Sequence, residues 1–161
     1  MKFAFLMDPL ESVKAYKDTT FYMMLAARER DNEVFYFNQS TLQAGNNSVT
    51  ALVSRLDVHA SVEKPFTVLE TRHSDLSEMD VVMIRTDPPL DMDYLYSTLL
   101  LDLLAPSTRV LNRPSGIRNW NGKLAALHYP QLTPRTAVTR SASEILQLFD
   151  EFDRVTLKHF G

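Results

Sequence analysis

Three features of this 161-residue chain predict an α/β fold, a parallel sheet into which an antiparallel hairpin is set. Val81-Val82-Met83-Ile84 is an unbroken apolar run, the pattern of a strand covered on both faces, as strands of parallel sheets are. A strand, a helix and a strand follow one another before residue 38, the order and spacing of a βαβ unit with its right-handed crossover. Thr41 to Val58 then reads as two strands about a Gly45-Asn46-Asn47-Ser48 turn.

Each element has a local reason. Phe3 to Met7 is a buried strand ended by Asp8-Pro9, because proline cannot continue a ladder. Asp18, Thr19 or Thr20 caps a helix whose apolar positions Phe21, Met24 and Leu25 share one face. Asp31-Asn32 stops it, since asparagine tolerates the left-handed conformation of a helix end. Val34-Phe35-Tyr36-Phe37 is the second strand, and Phe66 to Leu69 a further short one. After Val81–Ile84, Pro88-Pro89 blocks ladder pairing and Asp91 caps a helix near Met92–Leu104 that buries Leu95, Leu99 and Leu103. Val110-Leu111 is a strand leading to Asn112-Arg113-Pro114, and Pro114-Ser115-Gly116 reads as a turn. A helix around Asn119–His128, a linker with Pro130 and Pro134, a helix near Ala142–Phe152 and a strand at Val155-Thr156-Leu157 follow. A boundary is expected near Pro114–Gly122.

Composition narrows the function classes. With 45% hydrophobic and 23% charged residues the chain is an ordinary globular one. Seventeen basic against twenty acidic residues, a net charge of −3, argue against nucleic acid or an anionic membrane as the main partner. There are no cysteines, which excludes disulfides, thiolate metal sites and cysteine nucleophiles. The apolar start, Met1 to Met7, is too short for a secretory signal, no run approaches a membrane span, and a cytoplasmic location is expected. His59, His73, His128 and His159 show no ligand pairing that would build a zinc site. Four glycines supply no phosphate loop of the Walker or dinucleotide type.

Arg85 is the residue that carries chemistry. It stands where a buried strand leaves the sheet, and the carboxyl ends of such strands open onto the ligand crevice. A guanidinium there suits a carboxylate or phosphate, which it can hold through two parallel bonds. The plainer alternative is that Arg85 pairs with Asp87 or Asp91 and closes the loop.

The chain also resembles the amino-terminal half of bacterial glutathione synthetases, members of the ATP-grasp ligases. The resemblance lies in Met7-Asp8-Pro9, Lys17-Asp18-Thr19-Thr20-Phe21, Met83 to Asp91, Val110 to Pro114, Ile117 to Leu124 and Leu132 to Thr136, in the family's order and spacing. It implies a Rossmann-like pre-ATP-grasp substrate-binding domain over residues 1–121, with 122–161 the truncated beginning of an ATP-grasp domain. It implies an ATP-dependent ligation in which the carboxylate of γ-glutamylcysteine is phosphorylated and glycine attacks the acyl phosphate, releasing glutathione, ADP and phosphate. ATP and Mg2+ are the implied cofactors, and γ-glutamylcysteine, glycine and ATP the partners. A second copy of the chain or a complementing C-terminal half stays open as a further partner.

By position, the resemblance assigns Lys123 and Lys158 to ATP, and Arg85, Asp87, Asp8 and Lys17 to the peptide substrate. The plainer readings are an exposed helix lysine for Lys123, a charged edge-strand residue for Lys158 and a solvated charge for Lys17. Catalytic residues and metal ligands are not expected within this chain. Two departures stand out: Thr86 where the family commonly has lysine, and Gly122 where it has glutamate, a change that weakens a helix. After Lys158 the chain has only His159-Phe160-Gly161, where the family continues into a glycine-rich phosphate lid. The expectation is therefore a chain that does not run the reaction alone. A non-catalytic binding module of the same descent, and an ATP-grasp ligase with a different acid or amine, are the competing readings.

Overall fold

A computed structural model describes residues 1–45 and 48–158, so Asn46-Asn47 of the expected turn and His159–Gly161 lie outside the described residues. The chain divides into two compact units, Met1–Arg118 and Asn119–Gly161.

The first unit is a mixed seven-stranded sheet with a helix packed on each face. Strand β1 (Lys2–Leu6) leads through helix α1 (Thr19–Arg28) to β2 (Glu33–Phe37), which pairs parallel to β1 from Lys2↔Glu33 to Leu6↔Phe37. The antiparallel insert comprises β3 (Gln43–Ala44), β4 (Val49–Val58) and β5 (Phe66–Asp75). Strand β5 runs along the whole of β4 on one edge, so β2 and the short β3 share the other. Strand β6 (Val81–Ile84) then returns to the far side of β1 and pairs parallel with it. Helix α2 (Met92–Leu101) and strand β7 (Arg109–Leu111) complete the sheet, β7 parallel to β6.

Alternation along β1 divides the core. Ala4 and Leu6 pack with Phe35, Phe37, Val82, Ile84 and Leu101 on the α2 face. Phe5 and Met7 pack with Phe21, Met24 and Val34 on the α1 face. This period of two is what a strand covered on both sides requires.

Helix α1 starts where the sequence places it, the Asp18 carboxylate accepting from the amides of Thr20 (2.7 Å) and Phe21 (3.0 Å). At its end Asp31, not Asn32, takes the left-handed conformation (φ 58°). Asn32 instead donates its side-chain amide to the carbonyls of Ala27 and Arg30, satisfying groups the helix leaves open.

Several expectations are corrected. The strand expected at Phe66–Leu69 runs on to Asp75, because an edge strand needs ladder bonds and not apolar side chains, and Glu70 to His73 are exposed. Helix α2 ends at Leu101, short of the expected Leu104; Leu99 on it and Leu103 beyond it are 42% and 65% exposed, and Ser97, Thr98 and Leu101 face the core. Pro114-Ser115-Gly116 is not a turn but the first turn of helix α3 (Pro114–Asn119), proline suiting a position whose amide has no partner.

In the second unit the helix expected over Asn119–His128 does not form as one piece. The Asn121 side chain accepts from the amides of Lys123 and Leu124, and only Ala125–His128 winds into a 3-10 turn. Helix α4 (Ala142–Glu151) follows, capped by Ser141, whose hydroxyl accepts from the Glu144 amide. Val155-Thr156-Leu157 has no ladder partner among the described residues, so the expected strand is absent there. A strand exists only with a neighbour to bond, and the described part of this unit offers none.

Candidate functional site

From β1 the chain passes to β2 on one side and later to β6 on the other. The carboxyl ends of β1 and β6 therefore flank a topological switch point, where an open α/β sheet leaves a crevice for ligand. The loops that meet there place a polar side chain at the end of every parallel strand: Asp8 after β1, Asn38 after β2, Arg85 after β6 and Asn112 after β7.

Three of these stitch the strand ends together. Asn38 donates to the Met7 carbonyl at 3.1 Å, and Asn112 to the Ile84 carbonyl at 3.4 Å. The Asp8 carboxylate accepts from the Asp87 amide at 2.9 Å, joining the β1 loop to the β6 loop.

Arg85 is bonded differently. Its amide extends the ladder to the Leu6 carbonyl at 2.7 Å, which fixes where the side chain leaves the sheet. The guanidinium then reaches the first turn of α1, donating from Nε to Thr20 Oγ1 (2.9 Å) and from Nη2 to Thr19 Oγ1 (2.8 Å). Among the described residues it pairs with neither Asp87 nor Asp91, so the loop-closing alternative is not what forms. Asp91 instead caps α2 by accepting from the Tyr94 amide at 2.9 Å. Among the described residues these bonds use two of the five guanidinium donors, a group whose chemistry suits an anion.

Two tyrosines border this cluster. Burial raises the Tyr94 phenol above its ordinary pKa, the charges of Asp8 and Asp87 add to that, and Arg85 opposes it. Burial likewise raises Tyr36, with Glu11 and Asp8 contributing and the Asn38 hydrogen bond opposing. Both hydroxyls stay neutral at physiological pH and can donate as well as accept. Thr86 keeps its hydroxyl buried and without a hydrogen-bond partner among the described residues.

The structure thus brings Arg85, Asp8 and Asp87 together, with Thr19, Thr20, Tyr36 and Tyr94 as neighbours not singled out from sequence. A polar residue directly after each apolar run was the signal available for Asn38 and Asn112. Lys17 is exposed on the β1–α1 loop, its ammonium 5.7 Å from the centroid of the Tyr16 ring, and it bonds to none of the others.

Lys123 and Lys158 belong to the second unit, where both line a hollow of about 1000 Å3 together with Arg135, Thr156 and Arg154. Arg135 is held by the Glu151 carboxylate and lies over the Phe152 ring. Among the described residues no three of His, Cys, Asp and Glu converge as a metal-binding group. No helix there is long and apolar enough to cross a membrane.

Residues 1–118 match the family model described as prokaryotic glutathione synthetase, N-terminal domain. Among curated proteins, the glutathione synthetase of Gloeobacter violaceus is 39% identical over 98% of this chain, and that of Brucella melitensis 35% identical over 98%. The glutathione synthetase of Coxiella burnetii is 33% identical over 100% of the chain. The chain covers 51%, 51% and 50% of these relatives, so it spans about half the length of the proteins it matches.

Proposed function

We propose, from the fact that this chain belongs to the prokaryotic glutathione synthetase N-terminal family, that it is the substrate-binding half of such a ligase. The whole enzyme would join γ-glutamylcysteine to glycine at the expense of ATP, in the cytoplasm where ATP is supplied. Residues 1–121 act as the pre-ATP-grasp substrate domain and 122–161 as the beginning of the ATP-grasp domain.

The observation that carries this reading is the Arg85 fork, anchored on Thr19 and Thr20 at the switch point of the sheet. Its free donors bind a carboxylate of the peptide substrate, the charge-assisted contact for which a planar fork is suited. Asp8, tied to the Asp87 amide, fixes the loop that carries Arg85 and leaves a second carboxylate oxygen for a substrate amide or amine. Asp87 adds negative charge for an ammonium group, and Lys17 contributes only long-range attraction. Lys123 and Lys158, on the hollow of the second unit, neutralise nucleotide phosphates. Magnesium finds no set of ligands among the described residues.

This chain orients the acid substrate and does not complete the ligation alone. Calorimetric titration of the 161-residue chain with γ-glutamylcysteine, glutathione and ATP tests the reading. Binding of γ-glutamylcysteine is expected, with ligation of glycine appearing only when a separately produced C-terminal half is added. Absence of peptide binding would refute the substrate role, and unaided ligation would refute the incompleteness. Peptide binding that no C-terminal half converts into turnover would favour the non-catalytic module, the reading that Thr86 and Gly122 motivate.

A further inference from the structure

Gly122 has no packing or backbone reason to be glycine. A Cβ added there meets no heavy atom within 4 Å, and its φ is not positive. It follows Asn121, which makes this the one Asn-Gly step in the sequence. The pair lies between helix α3, which ends at Asn119, and the 3-10 turn Ala125–His128, and both residues are exposed. In such a step the backbone nitrogen of the second residue can close a five-membered ring on the side-chain Cγ of the first, and glycine, lacking a Cβ, leaves that approach uncrowded.

The local bonding favours the closure. The Gly122 amide, which is the attacking group, donates to nothing among the described residues, so no hydrogen bond has to break before it gives up its proton. Asn121 Oδ1 accepts from the amides of Lys123 (2.9 Å) and Leu124 (3.3 Å). These two donors polarise the Cγ carbonyl and face the oxygen on which negative charge develops as the nitrogen adds, the duty that an oxyanion hole performs. The leaving group is also unheld. Asn32, Asn38 and Asn112 spend their Nδ2 on backbone carbonyls, whereas Nδ2 of Asn121 donates to nothing among the described residues.

We propose that Asn121 is a self-modifying site, at which the folded chain deamidates through the Gly122 nitrogen. Solvent base takes the Gly122 amide proton, the nitrogen bonds to Cγ, and the Cγ–Nδ2 bond breaks with Nδ2 leaving as ammonia. Water then opens the resulting succinimide. Opening at the side-chain carbonyl leaves aspartate, and opening at the main-chain carbonyl leaves isoaspartate, with a methylene added to the backbone. Aspartate still accepts from the Lys123 and Leu124 amides, since it caps as asparagine does. Either product adds one negative charge to a chain whose net charge is −3. That charge arises beside the hollow that Gly122 and Lys123 line, so the chain carries a clock that turns a neutral group next to this wall acidic with age.

Peptide mass spectrometry of the full chain, incubated at two pH values one unit apart near neutrality, tests this. Position 121 should convert to a mixture of aspartate and isoaspartate at least about tenfold faster than Asn32, Asn38 or Asn112, a modest difference in barrier. The rate should rise about tenfold between the two pH values, because the share of amide present as its anion does. In Gly122→Ala the new Cβ meets nothing, so the fold is kept, and conversion should slow at least about tenfold. An Asn121 that converts no faster than the other three asparagines would overturn the proposal. Conversion as fast in Gly122→Ala as in the native chain would overturn it equally, since the attacking group would then not be this nitrogen. So would conversion that runs only in guanidinium chloride, because the fold would then guard the step instead of exposing it.

Discussion

Replacing Arg85 by alanine tests the candidate site most directly, because that guanidinium has one duty in the structure and a second, separable one in the proposed function. Toward the protein it donates to Thr20 and Thr19, and the Thr20 hydroxyl belongs to a residue only 4% exposed. Losing both bonds at a half-buried position costs about 1–3 kcal/mol of stability, less than two fully buried charged bonds because water can replace part of them. Toward the ligand, the proposed function has the remaining donors hold a carboxylate, and a charge-assisted bond of that kind contributes about 1.5–3 kcal/mol. Arg85→Ala should therefore raise the Kd for γ-glutamylcysteine about 12- to 160-fold. Urea denaturation gives the first quantity, and calorimetry well below the variant's Tm gives the second. Arg85→Lys keeps the charge but cannot make both threonine bonds and a bidentate contact at once, so it should lose most of the affinity. Thr19→Val frees one arm of the fork without removing charge, and its effect should be smaller. A folded Arg85→Ala chain that binds γ-glutamylcysteine as tightly as the native one would refute the reasoning and leave Arg85 as a clamp between β6 and α1.

Three further outcomes follow from single contacts. Asp18→Ala removes the acceptor for the Thr20 and Phe21 amides and should cost about 1 kcal/mol, lowering Tm by about 2–8 °C, while Asp18→Asn should cost much less. The raised Tyr94 pKa means that the unfolded chain ionises first: the stability it contributes is complete below about pH 10 and is lost as pH rises through the folded value. Urea midpoints of Tyr94→Phe should accordingly fall less steeply above about pH 10 than those of the native chain, and identical slopes would contradict the assignment. Amides from Pro130 to Lys158 should exchange with far less protection than those of β1, since α4 buries no residue and residues 153–158 have no ladder among the described residues. Equal protection in the two regions would show that the segment has a partner.

What the sequence made legible depended on whether local chemistry had one answer. Val81–Ile84 could be read because an unbroken apolar run before two prolines fits little else, and Val82 and Ile84 are 0% and 1% exposed. Asp18 and Asp91 could be read as caps because aspartate before an apolar-periodic stretch is a local signal. The rotation of α2 could not, since two opposite faces are apolar and the contact with the sheet chooses between them. The face chosen includes Ser97 and Thr98, whose hydroxyls the helix itself satisfies by bonding the carbonyls of Asp93 and Leu95. The polar half of β5 was hidden for a related reason: its ladder to β4 is made by the backbone, to which side-chain polarity is indifferent. In the second unit the Val155–Leu157 pattern has strand character, but pattern without a neighbour does not make a strand.

The site divides along the same line. Arg85 was visible because a guanidinium directly after a buried run has to come out at the sheet's edge. Its partners were not, since Thr19 and Thr20 lie 66 and 65 residues earlier and meet it only once β6 has docked beside β1. That docking also divides the four polar residues at the strand ends by what their side chains bond. Asn38 and Asn112 spend their side-chain amides on the carbonyls of Met7 and Ile84, and Asp8 spends an oxygen on the Asp87 amide. Each such bond ties one strand end to its neighbour and gives the row of loops a fixed spacing. Arg85 is the member of the row that carries positive charge, and its anchors are side-chain hydroxyls on α1 rather than backbone. A fork held at one side with donors to spare, on a rim made rigid by its neighbours, is preorganised for the carboxylate that the proposed function assigns to it, and little further ordering would be needed when one arrives.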